Sequence, residues 1–230
     1  MAKLSFRLSL IASLVPYGAR VCDIGTDHGY LAIELIKTGI AQKVIASDIA
    51  EKPLSNARKN IESANIDNIE LRLGSGLSCI KKSEVDTVVI AGMGGEVIAS
   101  ILENGKEISS DGEITLLLQP TTSPEALRAF LYSNGYTILK EIPIYENSKL
   151  YSVMVVKYTN SIKEYSGFNT FIGMVTPETN EGVLYIKKQQ KRCYGCMTAL
   201  ENIPAKQSEF LFYKQLYSDI EKYLNKFGEN

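Results

Sequence analysis

The sequence predicts an α/β fold in which a mostly parallel sheet is followed by a helical C-terminal part. Short apolar runs alternate with segments of helical periodicity from Arg20 to about residue 134, which is the pattern of repeated β-α units. Several of these runs end in glycine-rich or acidic turns, and open α/β sheets bind ligands at the carboxyl ends of their strands. After Tyr158 the apolar residues keep helical spacing without intervening strands.

The elements follow in a regular order. An amphipathic helix is predicted over residues 3–15, and the polar residues within it, among them Arg7, argue against a targeting or membrane-spanning segment. Strands are then predicted from Arg20 to Ile24 and over residues 44–48, 69–73, 85–91 and 113–118. Helices are predicted over 30–38 and 52–64, through Val97 to Leu102, and over 124–134. Two further strands are predicted over 138–145 and 149–158. Because a short turn joins them, they are expected to pair antiparallel and to close the sheet as a hairpin.

The C-terminal part is expected to form two antiparallel helices. Residues 183–202 show apolar positions at helical spacing, Ile203 and Pro204 interrupt the pattern, and a second periodic run continues to Phe227. The first of these helices carries a basic cluster, which consists of Lys187, Lys188, Lys191 and Arg192. Such a cluster is either a solvated face or a patch that binds nucleic-acid phosphates.

The composition is that of a globular protein with one domain and an appendage. The chain has 230 residues, of which 45% are hydrophobic and 22% charged, and its net charge is -1. A nucleic-acid partner must therefore be met by a local basic patch. The four cysteines, together with the lack of a recognisable signal peptide, indicate a reducing, cytoplasmic environment. Cys193 and Cys196 have the spacing of half a zinc site, but Cys22, Cys79 and His28 lie in the sheet region, so no metal site is expected.

The first strand leads into a turn with the pattern of a ligand-binding loop. Asp23, Gly25, Asp27 and Gly29 occupy every second position between an apolar run and an apolar-periodic helix. Glycines at such a turn let a ligand approach the main chain at the helix N-terminus. The pattern is nearer to the D-x-G-x-G-x-G turn of S-adenosylmethionine enzymes than to the dinucleotide fingerprint, with Asp27 in place of the middle glycine. A structural turn without a ligand is the alternative.

Other strand ends carry residues suited to the same ligand. Asp48 ends the second strand about twenty residues beyond the glycine turn, where a carboxylate can accept hydrogen bonds from two ribose hydroxyls. The alternative role, capping the next helix, suits Ala50 or Glu51 better because they are nearer to its start. Three other strands end in small or polar residues, which occupy positions 74–76, 91–95 and 119–122. Within the second of these, Met93 either packs against a flat base or fills the core.

Taken together, these motifs resemble one protein family. The segments that carry the resemblance are Leu-Ser-Phe-Arg-Leu (4–8), Asp-Ile-Gly-Thr-Asp-His-Gly-Tyr-Leu (23–31), Ser-Asp-Ile (47–49) with Pro53-Leu54, Ile-Ala-Gly-Met-Gly-Gly (90–95) and Leu-Gln-Pro (118–120). They are similar to those of the bacterial tRNA adenine-N1-methyltransferases that modify adenine 22. The resemblance covers about residues 4–158 and extends more loosely into the tail. The chain departs from residues common in that family at Ala32, Ser75 and Thr121.

The resemblance implies a Rossmann-like class I methyltransferase domain over residues 1–158 and S-adenosylmethionine as the methyl donor. It also implies a C-terminal helical domain of coiled-coil type, over residues 159–230, that helps to hold tRNA. The residues expected to contact the cofactor are Asp23, Gly25, Thr26, Gly29, Asp48, Ile49, Gly74, Ser75, Gly76, Ala91, Gly92 and Met93. Those expected to contact RNA are Arg7, Tyr30, Lys187, Lys188, Lys191 and Arg192.

Asp27 and His28 are the candidate catalytic residues. N1 of neutral adenine keeps its lone pair, so methyl transfer to it requires alignment more than deprotonation. The product is cationic, and a carboxylate such as Asp27 stabilises the growing charge by accepting a hydrogen bond from N6. His28, the single histidine, can contact the base or take up the N6 proton, or else it caps or packs the helix start. Tyr30 either stacks on a flipped base or belongs to the core, and Arg7 either contacts an RNA phosphate or closes the pocket.

The leading hypothesis is therefore methyl transfer from S-adenosylmethionine to N1 of adenine 22 in tRNA. A second hypothesis keeps the cofactor and changes the acceptor to a small molecule or a protein. A third is a noncatalytic RNA-binding protein that has the cofactor fold. The expected partner is tRNA in the cytoplasm, and neither a membrane, a metal nor an obligate protein partner is implied.

Overall fold

The computed structural model describes residues 4–228 and contains a seven-stranded mixed sheet. The strands are β1 (Ala19–Ile24), β2 (Ala41–Asp48), β3 (Ile69–Leu73), β4 (Thr87–Gly94), β5 (Thr115–Thr122), β6 (Tyr136–Glu146) and β7 (Lys149–Tyr158). Their order in the sheet is β3-β2-β1-β4-β5-β7-β6. β1 to β5 pair in parallel, and β7 pairs antiparallel with both β5 and β6. The predicted α/β fold with a closing antiparallel hairpin is thus confirmed.

Helices flank this sheet and form the C-terminal part. They are α1 (Phe6–Leu14), α2 (Tyr30–Lys37), α3 (Glu51–Ala64), α4 (Gly95–Asn104), α5 (Lys106–Ser109), α6 (Pro124–Ser133), α7 (Gly167–Phe171), α8 (Asn180–Leu200) and α9 (Gln207–Gly228). Short 3-10 turns occur at Gly76–Cys79 and Pro204–Lys206. The predicted first helix begins at residue 3, which lies outside the described residues. Within them the helix begins at Phe6, because the Ser5 hydroxyl caps it by accepting a hydrogen bond from the Leu8 amide.

The central strands are longer than predicted at the edge where ligands bind. β4 continues beyond residue 91 to Gly94, and β5 continues beyond residue 118 to Thr122. The two strands remain paired there with small irregularities, with Ala91 opposite Gln119 and Gly94 opposite Thr122. The glycine-rich motif therefore belongs to the strand itself, since the backbone pairing does not require apolar side chains.

Alternate side chains of the central strands build a core on each face of the sheet. Val88 and Ile90 of β4 pack in one cluster with residues of α4 and α6, whereas Val89 between them packs with residues of α1 and α2. All three valine and isoleucine side chains are completely buried. This two-sided burial explains why β4 reads as a continuous apolar run rather than as an alternating one.

The two long C-terminal helices pack antiparallel, as predicted. Tyr194 of α8 lies 6.0 Å from Tyr217 of α9 between ring centroids, and a groove further along the pair is lined by Lys187 and Glu221. α7 was not predicted. It starts at a capping box, in which Ser166 and Asn169 each bind the backbone amide of the other.

A buried ion pair ties the C-terminal helices to the sheet. Arg128 of α6 and Glu141 of β6 are both inaccessible to solvent, and Arg128 Nη2 lies 2.6 Å from Glu141 Oε1. Arg128 also donates hydrogen bonds to the backbone oxygens of Thr170 and Phe171 and to the Tyr185 hydroxyl. The remaining capacity of the carboxylate is filled largely by the Ser152 hydroxyl and the Met174 amide. One guanidinium thus joins α6, β6, α7 and α8.

Candidate functional site

The turn after β1 is held by a buried carboxylate and by the neighbouring strand. Asp23 is 5% exposed and accepts a hydrogen bond of 2.7 Å from the Thr26 hydroxyl. The amides of Gly25 and Thr26 both donate to the Ser47 carbonyl of β2. Burial raises the pKa of Asp23 to about 6, while the Thr26 hydrogen bond opposes that shift. A cationic ligand group close to Asp23 would relieve this cost.

Two glycines of the turn have different tasks. Gly25 has a φ of +76°, and a Cβ there would come within 2.3 Å of the Met93 methyl group. Gly25 lies between two neighbouring cavities at the carboxyl ends of the strands, so a side chain at that position would intrude between them. Gly29, with a φ of +71°, lines neither cavity; its bare Cα lets α2 approach Ala57 of α3.

Asp27, His28 and Tyr30 form a group at the start of α2. The Asp27 side chain is 68% exposed, and its Oδ2 lies 3.4 Å from His28 Nε2. Tyr30 stacks on His28 with 5.3 Å between ring centroids. The backbone carbonyl of His28 accepts a hydrogen bond from the Asn60 amide, which anchors this turn to α3. The two candidate catalytic residues are therefore adjacent, accessible and held by their backbone.

A cavity of about 670 Å³ opens at the carboxyl ends of β1, β2 and β4. Among the predicted cofactor residues, it is lined by Gly25, Asp48, Ile49, Gly74, Ser75, Gly76 and Met93. Its walls also include Glu96, Val97 and Ile101 of α4, which sequence reasoning missed. The helical run after the glycine motif was the available signal, because a helix that follows a strand end presents its first turns to that edge of the sheet.

Asp48 lies at the rim of this larger cavity. Its Oδ1 accepts a hydrogen bond of 2.9 Å from the Ala50 amide, which forms a short turn before α3. Ala50 itself is the N-cap of α3 and has no side chain that can cap the helix. Asp48 therefore shapes the entry to α3 through one carboxylate oxygen, and it still faces the cavity.

A second cavity, of about 300 Å³, adjoins the first at Gly25. The predicted residues that line it are Arg7, Asp23, Gly25, Thr26, Asp27, His28, Tyr30, Ala91 and Gly92. All the predicted cofactor residues except Gly29 thus border one cavity or the other. The smaller cavity also contains both candidate catalytic residues, so the structure brings the two predicted sets together.

Arg7 is bound within the protein at the wall of the smaller cavity. Its guanidinium lies 3.3 Å from Glu146, donates to Gln119 at 2.6 Å and stacks over Tyr151. The same Gln119 oxygen accepts a hydrogen bond from the Gly92 amide. Arg7 and the buried Gln119 therefore fix the backbone that forms the cavity wall. Sequence reasoning placed Gln119 at a strand end but missed Glu146, because a contact between residues so far apart leaves no local pattern.

The basic cluster divides between two faces of α8. Lys188 donates to the Leu150 carbonyl of β7, and Arg192 pairs with Glu125 of α6 at 2.7 Å. Lys187 instead borders the groove between α8 and α9, and Lys191 is exposed. The spacing of four residues explains the division, because it returns each pair to the same side of a helix.

Two thiols lie close to the larger cavity. Cys22 of β1 is buried, and Cys79 is the last residue of the 3-10 turn that begins at Gly76. A hydrogen bond with Cys22 lowers the pKa of Cys79 to about 6, whereas that hydrogen bond and burial raise the pKa of Cys22 well above its usual value. A Cβ on Gly74 would meet the Cys79 side chain at 2.8 Å, so this thiol lies directly behind the cavity wall.

Within residues 4–228, no group of three or more histidine, cysteine, aspartate and glutamate side chains is arranged to hold a metal ion. No helix of the described chain is long and apolar enough to cross a membrane.

Comparisons with known proteins agree on the kind of protein to which this chain is similar. Residues 4–154 match the model of a methyltransferase domain. The tRNA (adenine(22)-N(1))-methyltransferase of Bacillus subtilis strain 168 is 37% identical over 205 residues, which cover 87% of this chain and 86% of that protein.

Solved structures are similar over nearly the whole chain. A Streptococcus pneumoniae protein in complex with S-adenosyl-L-methionine is 32% identical, with a TM-score of 0.79 and coverage of 94% of this chain and 100% of that one. TrmK of M. capricolum, in complex with the cofactor product S-adenosyl-homocysteine, is 28% identical, with a TM-score of 0.80 and coverage of 97% and 99%.

Proposed function

The chain belongs to the tRNA (adenine(22)-N(1))-methyltransferase family, and on that premise we propose that it transfers a methyl group from S-adenosylmethionine to N1 of adenine 22 in tRNA. The observation that carries the proposal is the pair of cavities that meet at Gly25. One is large and largely apolar, and the other contains two carboxylates and a histidine. A donor and an acceptor base can therefore meet at one bare stretch of backbone.

The residues of the larger cavity fit the adenosine part of the cofactor. Ile49 and Val97 are both more than half exposed, although they are apolar, and they border this cavity on different elements. Such side chains offer a surface for a flat base. Asp48 at the rim is suited to accept hydrogen bonds from the ribose hydroxyls. We assign the remaining cofactor contacts at this end to Gly74, Ser75, Gly76 and Met93.

The cationic part of the cofactor fits the border between the cavities. S-adenosylmethionine supplies an electrophilic methyl group on a sulfonium and also carries an ammonium group. The buried carboxylate of Asp23 is suited to stabilise such positive charge, because burial raises its pKa and, within residues 4–228, the Thr26 hydroxyl is the side-chain group that binds it. We assign contacts here to Asp23, Gly25, Thr26, Ala91 and Gly92, and to Gly29 a packing role that holds the turn.

Asp27 and His28 are our candidates for the catalytic residues. N1 of adenine attacks with its own lone pair, so the protein must mainly align the base and exclude water. The positive charge that develops on the base makes its N6 protons more acidic. Asp27 can accept a hydrogen bond from N6 and thereby stabilise that charge. His28, beside the Asp27 carboxylate, can orient it or take up a proton from N6.

The acceptor nitrogen lies on the Watson-Crick edge, so adenine 22 must leave its stack to reach the smaller cavity. Tyr30 lies beside His28 with its ring partly exposed and is suited to stack on the extruded base. For Arg7 we favour closing the pocket over binding phosphate, because Glu146 and Gln119 already hold its guanidinium. The basic cluster of α8 supplies charge for RNA phosphates, which a chain with a net charge of -1 must present locally.

We further propose a catalytic domain over residues 1–158, a tRNA-binding helical domain over residues 159–230, and a cytoplasmic location. A separate apolar cluster of α7, α8 and α9 supports the division. The Arg128 ion pair crosses that boundary, so the two parts are expected to fold together. The location follows from the tRNA substrate.

The direct test is to incubate the protein with radiolabelled S-adenosylmethionine and an unmodified tRNA transcript. The product is located by mass spectrometry and primer extension. N1-methyladenosine at position 22, and no incorporation into a transcript with guanosine at that position, is the expected result. Asp27→Ala should abolish most transfer and keep cofactor affinity, whereas Asp67→Ala, at an exposed position in the loop before β3, should retain activity.

Two results would contradict this assignment. Cofactor binding without transfer to any tRNA would favour a noncatalytic RNA-binding protein. Transfer to a small molecule or a protein, but not to tRNA, would favour a different acceptor in the same cofactor fold.

A further inference from the structure

A third, smaller cleft lies between the sheet and α8. It has a volume of about 160 Å³ and is separate from the two cavities of the proposed active site. The residues that matter for its chemistry are Thr121, Thr122, Tyr151, Lys188, Gln189 and Arg192. They come from the ends of β5 and β7 and from one side of α8.

Gln189 is the unusual residue of this cleft. It is only 5% exposed, and within the described part of the chain its side-chain amide has no hydrogen-bond partner. Buried amides are normally hydrogen-bonded, and the Gln189 amide is not among the fully buried polar atoms of residues 4–228 that lack a partner, so it meets water at the cleft and is free to donate to a ligand there. The cleft that Gln189 lines offers room for a ligand to provide that bond.

The charged side chains that line the cleft are both cationic. Lys188 has one hydrogen bond, of 3.3 Å, to the neutral Leu150 carbonyl. Arg192 is paired with Glu125 through Nη2, which leaves other guanidinium nitrogens to donate. Glu141, which accepts a hydrogen bond from Ser152 of the cleft lining, is already neutralised by Arg128. Two cations and the Gln189 amide therefore surround a space that suits a small anion.

The cleft adjoins the smaller cavity of the proposed active site. Tyr151 lines the cleft, and its ring lies 5.3 Å from the guanidinium carbon of Arg7, which lines the smaller cavity. Thr121 follows closely after Gln119, which binds Arg7. An RNA strand whose base enters the smaller cavity can therefore reach this cleft with a neighbouring phosphate.

We propose that this cleft binds a backbone phosphodiester of the substrate RNA next to the target nucleotide. The Gln189 amide and the Lys188 ammonium donate to the phosphate oxygens, and Arg192 adds positive charge at the edge. The proposal rests on the proposed function, because it takes the RNA as the source of the phosphate. It also gives Lys188 and Arg192 a task that Lys187 and Lys191, on the other side of α8, do not share.

The test compares Gln189→Leu and Lys188→Met with the wild type in binding of a tRNA transcript at several salt concentrations. Loss of a hydrogen bond to a charged group is expected to weaken affinity about tenfold in each variant. For Lys188→Met, the slope of log affinity against log salt should also fall by about 0.7 to 0.9, which is one phosphate contact. Lys82→Met, which removes an equal charge from an exposed position in the loop before β4, should leave both quantities nearly unchanged.

Cofactor affinity, measured by calorimetry, shows that each variant is folded. If Gln189→Leu fails that check, the exposed Lys188→Met carries the test alone. Wild-type affinity and salt slope in the folded variants would overturn the inference, and normal methylation in the same samples would leave the proposed function intact.

A titration with inorganic phosphate separates the two possible sources of the anion. The side-chain amide of Gln189 is followed by NMR in glutamine-labelled protein, and a saturable shift that Lys188→Met abolishes supports a built phosphate site. Phosphate binding together with no binding of any tRNA would make this a site for free phosphate, and would overturn both the RNA assignment and the proposed function.

Discussion

Replacing Asp23 with asparagine is expected to stabilise the ligand-free protein at neutral pH. Burial raises the pKa of this carboxyl to about 6 from a usual value of 3.8. The contribution of Asp23 to the free energy of unfolding is therefore fully present below about pH 4, where the carboxyl is protonated, and is lost as the pH rises through about 6. The difference of about 2 pH units corresponds to about 3 kcal/mol at neutral pH. Asparagine has no charge to bury, and its carbonyl oxygen can still accept the Thr26 hydrogen bond.

The free energy of unfolding of both proteins should be measured by urea denaturation from pH 4.5 to 8. The stability difference between Asp23→Asn and the wild type should grow through pH 6 and then level off. Cofactor affinity should fall in the variant, because the cationic donor loses its buried carboxylate. A stability difference that does not change with pH, or a variant that is less stable than the wild type at pH 8, would refute the argument that ionised Asp23 destabilises the ligand-free protein.

Three further predictions concern other parts of the molecule. Asp48→Asn should raise the dissociation constant for S-adenosylmethionine by about 10- to 100-fold in calorimetry, through weaker hydrogen bonds to the ribose; unchanged affinity would remove Asp48 from the site. Arg128→Met should lower the free energy of unfolding by about 3 to 5 kcal/mol, because it strands the buried Glu141 carboxylate; Arg128→Met combined with Glu141→Gln should recover part of that loss, and no recovery would contradict this cause. Iodoacetamide labelling, followed by peptide mass spectrometry, should modify Cys79 before Cys22 at pH 7. The labelling rate of Cys79 should rise through about pH 6, because its lowered pKa populates the thiolate above that value. A rate that begins to rise only near pH 9 would contradict this prediction.

The sheet could be predicted from the sequence because its signals are local. Each parallel strand is a short apolar run followed by a turn, and the helices between them show their own periodicity. The same local signals brought Asp23, Asp27 and Asp48 to one edge, since consecutive parallel strands end on the same side. The ends of β4 and β5 could not be predicted, because the two strands remain paired beyond their apolar residues and backbone pairing does not depend on side-chain type.

Contacts between distant residues could not be predicted. Glu146 binds Arg7 across 139 positions of the chain, and nothing near either residue indicates the other. The cavity wall formed by α4 depends on how that helix packs, which periodicity alone does not determine. α7 is only 5 residues long and depends on a capping box and on Arg128 more than on an apolar pattern.

The Arg128 ion pair also has a consequence for biosynthesis. Arg128 precedes its hydrogen-bond partner Tyr185 by 57 positions. At about 5 to 20 residues per second, a ribosome completes Arg128 roughly 3 to 11 seconds before it reaches that tyrosine. During this interval the ribosome adds Glu141, Thr170 and Phe171, so the chain contains the carboxylate partner of the guanidinium before it contains the Tyr185 hydroxyl. The set of hydrogen bonds that encloses this guanidinium can therefore be completed only after α8 has been synthesised.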